Sequence, residues 1–138
     1  MSYPEEICAP MREELTSVGF VELKTEEEVS SLLNKQEGSV LLLVNSVCGC
    51  AAANARPAVK MATQFSNKAN VFATVFAGQD IGATAKAREY MAPFPPSSPS
   101  IAIFNNGNLV HFIERHHIEG RSAEMIAENI KACFDEIC

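Results

Sequence analysis

The chain of 138 residues lacks the features that mark a membrane protein or a nucleic-acid-binding protein. Its longest strongly apolar run is VLLLV at residues 40–44, which is far too short to span a bilayer. No basic cluster interrupts a formal net charge of -6, so neither nucleic acid nor an anionic membrane is expected as a partner. Residues 1–15 contain neither a positive leader nor an apolar signal-peptide core, and we expect a cytoplasmic protein.

The chain also lacks internal repeats and low-complexity linkers, which predicts a single domain over residues 1–138. Its five cysteines are an odd number and fit a disulfide framework poorly. Structural disulfides rarely persist in the cytoplasm, where close cysteine pairs are more often catalytic or metal-binding. The cysteines are therefore the first place to look for function.

Apolar periodicity predicts alternating helices and strands in the first half of the chain. Ile7, Met11 and Leu15 form the apolar stripe of a first helix that is bent at Pro10, and GFVEL follows as a short strand. A capping box at Thr25 starts a second helix, which Gly38 ends. The aliphatic run SVLLLVN is typical of a strand that is buried on both faces.

The second half continues the alternation and closes with a hairpin. NVFATVF predicts another buried strand between a helix kinked at Pro57 and an alanine-rich helix at residues 82–91. Two apolar runs joined at Asn106-Gly107 predict a hairpin, and Ser122 caps the last helix. This order predicts a layered α/β sheet with helices on both faces.

The central motif is CGC at residues 48–50, between the buried strand and a helix start. At that position Cys48 meets unpaired backbone N–H groups and the positive end of the helix dipole, which favour the thiolate and lower its pKa. Cys50 is near enough to attack a mixed disulfide on Cys48. A disulfide between the two would close a small, strained ring that is easily reduced. The motif therefore predicts a thiol–disulfide exchange catalyst.

Two other interpretations of the motif stay open at this point. Cys48 and Cys50 could be small buried hydrophobic residues without a chemical role. They could instead hold zinc or an iron–sulfur cluster, although two cysteines are too few for a tetrahedral site without further ligands.

The remaining cysteines and histidines are weaker candidates. Cys8 and Cys133 are expected in the core, and Cys138 is expected to be exposed, either as a third exchangeable thiol or without a role. His116 and His117 are expected on opposite sides of an extended segment at the exposed end of the hairpin.

A second informative stretch is PPSSPSIAIF, where Pro99 immediately precedes a strand. A cis peptide bond before Pro99 would hold its loop beside the CGC turn, and the backbone of Ser98 could then pair with an extended substrate. An ordinary trans proline in a connecting loop is the alternative.

The arrangement of CGC, the internal proline, SSPSIAIF and the hairpin resembles a thioredoxin-like fold: a central mixed sheet flanked by helices, with a C-terminal β-hairpin and a final helix. More specifically, CGCAAANARPAV, VFAGQD, PPSSPS, HFIERHHIEG and the terminal cysteine are similar to the bacilliredoxin family. The resemblance covers nearly the whole chain.

The resemblance implies a thiol–disulfide oxidoreductase that removes bacillithiol from S-bacillithiolated client proteins, with weak disulfide isomerase activity as an alternative. It implies that Cys48 attacks, that Cys50 is the candidate resolving cysteine, and that Pro99 is cis with Ser98 beside it in the substrate site. No bound cofactor or metal is implied, and bacillithiol is the thiol co-substrate.

The chain also departs from ordinary thioredoxins. It has no tryptophan, CxC replaces CxxC, and the strand before the motif offers Asn45 and Ser46 but no evident buried carboxylate. These differences favour regeneration by free bacillithiol over thioredoxin reductase.

Overall fold

The computed structural model describes residues 3–35 and 37–138, and its helices and strands follow the predicted order except for one additional short helix between the hairpin and the final helix. The helices are α1 (Glu5–Thr16), α2 (Glu26–Leu33), α3 (Arg56–Ala62), α4 (Ile81–Glu89), α5 (Arg115–Ile118) and α6 (Ala123–Ile137). The strands are β1 (Val21–Glu22), β2 (Ser39–Asn45), β3 (Val71–Phe76), β4 (Ser100–Asn105) and β5 (Asn108–Ile113). A π-helical segment, Ala51–Ala55, leads directly into α3.

The five strands form one mixed sheet in the order β1-β3-β2-β4-β5. β2 lies at its centre, parallel to β3 and antiparallel to β4, and all seven of its residues are buried. This explains the continuous aliphatic run, because a central strand covered on both faces has no polar side. The predicted mixed sheet with a C-terminal hairpin is confirmed.

Two apolar cores cover the two faces of the sheet. Leu41 and Leu43 face one core, which contains residues of α3 and α6, whereas Leu42 and Val44 face the other, which contains residues of α2 and α4. This alternation follows from the two-residue period of a strand. Helices on both faces hold β2 rigidly, so the residues that follow its carboxyl end have a fixed starting point.

The predicted local signals have clear structural counterparts. Thr25 and Glu28 form the capping box of α2, and the hydroxyl of Ser122 accepts from the backbone N–H of Met125 at the start of α6. Asn106 and Gly107 both have positive φ, 52° and 84°, as a two-residue hairpin turn requires.

Helix ends and kinks were predicted less well than helix positions. α2 ends at Leu33, so Gly38 lies in the following loop with φ of 86° rather than at the helix end. A kink was predicted at Pro57. The structure instead has a π-helical segment just before this residue, and Pro57 itself occupies the first turn of α3. A missing N–H is tolerated in a first helical turn.

The buried face of α1 differs from the predicted stripe. Ile7 is 48% exposed, whereas Cys8, Arg12 and Leu15 are buried. The Arg12 guanidinium is accommodated because it donates to carboxylate oxygens of Asp80 at 2.7 Å and Glu22 at 2.8 Å. A buried charge is tolerated when it is paired in this way. Among the described residues, no helix is both long and apolar enough to cross a bilayer.

Candidate redox site at the carboxyl end of the central strand

Cys48 occupies the N-terminal position of the helix that follows β2. Its carbonyl oxygen accepts from the N–H groups of Ala51 at 3.0 Å and Ala52 at 3.3 Å, and its Sγ accepts from the backbone N–H of Cys50 at 3.4 Å. The sulfur thus takes the place that a side-chain oxygen takes at an ordinary N-cap. The Cys48 backbone is fixed in turn, since its N–H donates to the Ser46 hydroxyl at 3.2 Å.

These contacts lower the pKa of the Cys48 thiol. The largest effect is the hydrogen bond from the backbone N–H of Cys50, which burial partly opposes. The Cys50 thiol, the positive charge of Arg115 and the N–H of Ala51 lower the pKa further. A thiolate is the nucleophile in disulfide exchange, so this environment activates Cys48.

Cys50 has the opposite environment, although it is only two residues away. Burial raises the pKa of Cys50, and so do the hydrogen bond and the negative charge of Cys48. Glu119 raises it further, while Arg115 lowers it. Both thiols are free and half-buried, and of the two only Cys48 has its pKa lowered by its surroundings.

An open groove of about 460 Å³ gives substrates access to Cys48. Its walls come from the segment before α1, the β2 end, the β3–α4 turn, the last turn of α4, the loop before β4, and α5. The lining residues are Tyr3, Ser46, Val47, Cys48, Ala77, Gly78, Arg88, Ser98 and Arg115. Ser98, which the sequence placed in the substrate site, therefore does share a cavity with Cys48.

The loop before β4 has the conformation expected at Pro99. The Ser98–Pro99 peptide bond is cis, as is Ala92–Pro93, and Pro99 is buried. The Ser98 carbonyl accepts from Nη1 of Arg115 at 3.3 Å, so that a cation links this loop to α5 beside the thiols. Arg115 is itself held by Glu119, with Nε 2.8 Å from a carboxylate oxygen.

Comparisons with known proteins agree with this geometry. Residues 3–138 match a family model described as disulphide isomerase. A bacilliredoxin of Cytophaga hutchinsonii is 54% identical over 135 residues, covering 98% of this chain and 99% of the relative. A bacilliredoxin of Geobacillus kaustophilus is 50% identical and covers 99% of this chain and 94% of the relative. This chain belongs to the bacilliredoxin family. It is a thiol–disulfide oxidoreductase of that family.

Solved structures confirm the fold alone, because their sequences are distant. A protein described as having a thioredoxin fold superposes with a TM-score of 0.62 at 16% identity, covering 83% of this chain and 92% of that chain. Fasciola hepatica thioredoxin superposes with a TM-score of 0.59 at 16% identity, covering 86% of this chain and 100% of that thioredoxin. The thioredoxin-like architecture of this chain is thus confirmed.

A buried polar network lies directly behind the redox turn and was missed by sequence reasoning. Nη1 of Arg56 donates to Asn45 Oδ1 at 2.9 Å and to the Ser46 carbonyl at 3.0 Å. Its Nε donates to a Glu14 carboxylate oxygen at 3.0 Å, and the Arg56 side chain is only 3% exposed. The one available signal was an arginine adjacent to the apolar positions of the helix after the motif.

Within the described residues, the two thiols are not part of a cluster of three metal-ligating side chains. Across residues 3–35 and 37–138, the set of three ligating side chains that approach within 4.8 Å of one another is Glu114, His116 and His117. The two histidines lie in α5 with ring centroids 4.0 Å apart, so the expectation of an extended backbone was wrong, whereas their expected exposure at the end of the hairpin is confirmed. α5 instead brings Arg115 to the redox site.

The three other cysteines lie outside the redox groove. Cys8 and Cys133 are buried and Cys138 is exposed, as predicted. Cys138 Sγ is 3.5 Å from the hydroxyl of Ser39, the first residue of β2. Cys48 follows the other end of that strand, and six steps of about 3.3 Å separate the ends by about 20 Å. Cys138 therefore cannot exchange with Cys48 within this conformation.

Proposed function

We propose that this bacilliredoxin removes bacillithiol from S-bacillithiolated proteins, with Cys48 as the attacking thiolate. The observation that carries the proposal is the hydrogen bond from the Cys50 N–H to the Cys48 sulfur at a helix start that opens onto the groove. Close relatives bear the name bacilliredoxin, which supports bacillithiol as the co-substrate and a cytoplasmic protein disulfide as the target.

The reaction is a pair of thiol–disulfide exchanges. The Cys48 thiolate attacks the bacillithiol sulfur of the mixed disulfide; a Cys48–bacillithiol disulfide forms, and the client sulfur leaves as a thiolate that takes a proton from solvent. A second thiolate, from Cys50 or free bacillithiol, then attacks the adduct and releases Cys48. Attack by free bacillithiol yields its symmetrical disulfide, whereas attack by Cys50 releases bacillithiol and leaves a Cys48–Cys50 disulfide.

Ser98 and Pro99 belong to the same proposal as the substrate-binding loop. Ser98 lines the groove, and the buried Pro99 fixes the start of β4 behind it. Because the Ser98 carbonyl already accepts from Arg115, its loop is positioned before a substrate arrives. A pre-positioned binding segment reduces the entropy lost when an extended client docks.

The test uses a single-cysteine protein carrying bacillithiol, followed by intact-mass spectrometry with wild type, Cys48→Ala, Cys50→Ala and Cys138→Ser. Wild type and Cys138→Ser should release the client at equal rates, because Cys138 lies at the opposite end of β2. Cys48→Ala should release it no faster than buffer. Cys50→Ala should still release one client per enzyme and accumulate a bacillithiol adduct on Cys48. Equal release by wild type and Cys48→Ala would refute the proposal.

A second candidate is a disulfide isomerase acting on protein disulfides, which the description of the matching family model favours. It requires reactivation of a scrambled disulfide protein at a rate comparable with bacillithiol removal. If wild type removes bacillithiol but leaves the scrambled protein inactive, the isomerase candidate is excluded.

A further inference from the structure

Arg88 is a partly buried cation in the last turn of α4, at the wall of the redox groove. Its Nη2 donates to the Ser97 carbonyl at a long 3.4 Å. Its Nε is fully buried and has no hydrogen-bond partner among residues 3–35 and 37–138. No carboxylate of this described part of the chain forms a salt bridge with it.

Among the described residues, the arginines that are more deeply buried than Arg88 have carboxylate partners. Arg12 and Arg56 each contact at least one carboxylate within 3.0 Å. Burial without such a partner lowers the pKa of Arg88, yet a guanidinium remains protonated at any physiological pH. An unpaired buried charge is costly unless a binding partner completes it. Arg88 thus lacks the carboxylate that pairs with Arg12 and with Arg56, and an anionic ligand would supply one.

The position of Arg88 relates that anion to the redox chemistry. Arg88 and Cys48 line the same groove, so a ligand that fills the groove contacts both residues. Arg115 lines the groove as well, but Glu119 already occupies its Nε. Guanidinium groups bind carboxylates through parallel N–H bonds, which gives both affinity and orientation.

We propose that Arg88 binds a carboxylate of the low-molecular-weight thiol and so positions the sulfur of that thiol against Cys48. The inference rests on the proposed function for the identity of the thiol as bacillithiol, whose malyl group carries two carboxylates. With the small thiol held in the groove, Cys48 attacks its sulfur, the new disulfide joins Cys48 to the small thiol, and the client leaves as a thiolate. Arg88 therefore selects acidic small thiols and determines which half of the mixed disulfide is captured.

The first test compares two adducts of one cysteine peptide, with bacillithiol and with neutral mercaptoethanol, using wild type, Arg88→Gln, Arg88→Lys and Lys86→Gln. Loss of one charge-assisted carboxylate contact should lower kcat/KM of Arg88→Gln for the bacillithiol adduct by about 10- to 100-fold, mainly through KM. The mercaptoethanol adduct should react at nearly the wild-type rate. Arg88→Lys should recover part of the loss, because it keeps the charge but not the planar fork.

Lys86→Gln is the matched control, since it removes the same charge from α4 two residues away and outside the groove. It should behave as wild type with both adducts. Equal losses of Arg88→Gln on both adducts would indicate a structural role, and no loss on the bacillithiol adduct would leave Arg88 without a binding role. Either result overturns the proposal.

A second measurement separates this inference from the proposed function. Iodoacetate and iodoacetamide alkylate Cys48 with the same leaving group but differ in charge, and mass spectrometry of the Cys48 peptide gives both rates. An anion site at Arg88 requires the iodoacetate-to-iodoacetamide ratio to fall in Arg88→Gln and to stay unchanged in Lys86→Gln. If wild type fails to remove bacillithiol but the alkylation-rate ratio still falls in Arg88→Gln, the anion site stands and bacillithiol is the wrong substrate. If the ratio is unchanged in Arg88→Gln, the anion site itself is refuted.

Discussion

The buried Arg56 network offers a direct test of what holds the redox turn in place. Arg56→Met removes three hydrogen bonds, to Asn45, the Ser46 carbonyl and Glu14, while keeping a long apolar side chain in the space. Ser46 is the residue whose hydroxyl accepts from the Cys48 backbone N–H. The substitution therefore loosens the turn at its attachment to β2 without touching either thiol.

The size of the effect follows from the burial of the two charged partners. Breaking a fully buried charge pair costs about 3–5 kcal/mol, because the remaining charge is left uncompensated. The Arg56 side chain is 3% exposed but Glu14 is 30% exposed, so water compensates part of the loss at Glu14. We expect Arg56→Met to lower the free energy of unfolding by about 2–4 kcal/mol. This is a large part of the total free energy of unfolding of a typical domain, which is about 5–15 kcal/mol.

Urea unfolding followed by circular dichroism measures this change, with an unaltered m-value as the check that both proteins unfold in the same way. Lys60→Met is the matched control: its Nζ contacts the same Glu14 carboxylate at 3.5 Å, but the side chain is 38% exposed. Such an exposed pair contributes about 0–1 kcal/mol. If Arg56→Met lowers the free energy of unfolding by less than about 1 kcal/mol, or by the same amount as Lys60→Met, the buried network does not have the proposed stabilising role.

Two further predictions concern the pKa values of the thiols. Arg115→Gln removes a positive charge that favours the Cys48 thiolate, so the pKa of Cys48 should rise and the midpoint of its alkylation-versus-pH profile should move to higher pH. Arg121→Gln is the control and should leave this profile unchanged. An unshifted midpoint in Arg115→Gln would exclude an electrostatic effect of Arg115 on Cys48. Cys48→Ala removes a hydrogen bond and a negative charge that raise the pKa of Cys50, so the alkylation midpoint of Cys50 should move to lower pH, and a rise would contradict the described coupling.

The sequence predicted the parts of this protein that depend on local patterns. The apolar run of β2, the Asn106-Gly107 turn and the caps at Thr25 and Ser122 each have a cause within a few residues. The inequality of Cys48 and Cys50 was also predictable, because it follows from a sulfur at a helix start. These features need no knowledge of the tertiary arrangement.

The sequence could not predict contacts between charges that are distant along the chain. Arg12 is buried on α1 because β1 and the β3–α4 turn present Glu22 and Asp80 to it, and periodicity alone treats an arginine as a surface residue. Arg115 reaches the groove through α5, a single helical turn that carries no strong sequence signal. For Arg88 the informative observation is also tertiary, because its buried Nε has no hydrogen-bond partner among the described residues.

The opposed pKa shifts of the two thiols bear on how a Cys48 adduct is resolved. In the reduced protein, burial and the Cys48 thiolate raise the pKa of Cys50, which disfavours Cys50 as the attacking thiol in the proposed reaction. Once Cys48 enters a disulfide, its negative charge disappears, and the pKa of Cys50 falls because the Cys48 effects are gone while Arg115 still lowers it. Burial and Glu119 continue to raise it. Exchange is fastest for thiols whose pKa is near the ambient pH. Under the proposed function, the pKa of Cys50 is therefore lower in the Cys48 adduct than in the reduced protein, which favours attack by Cys50 at the step where free bacillithiol is its proposed competitor.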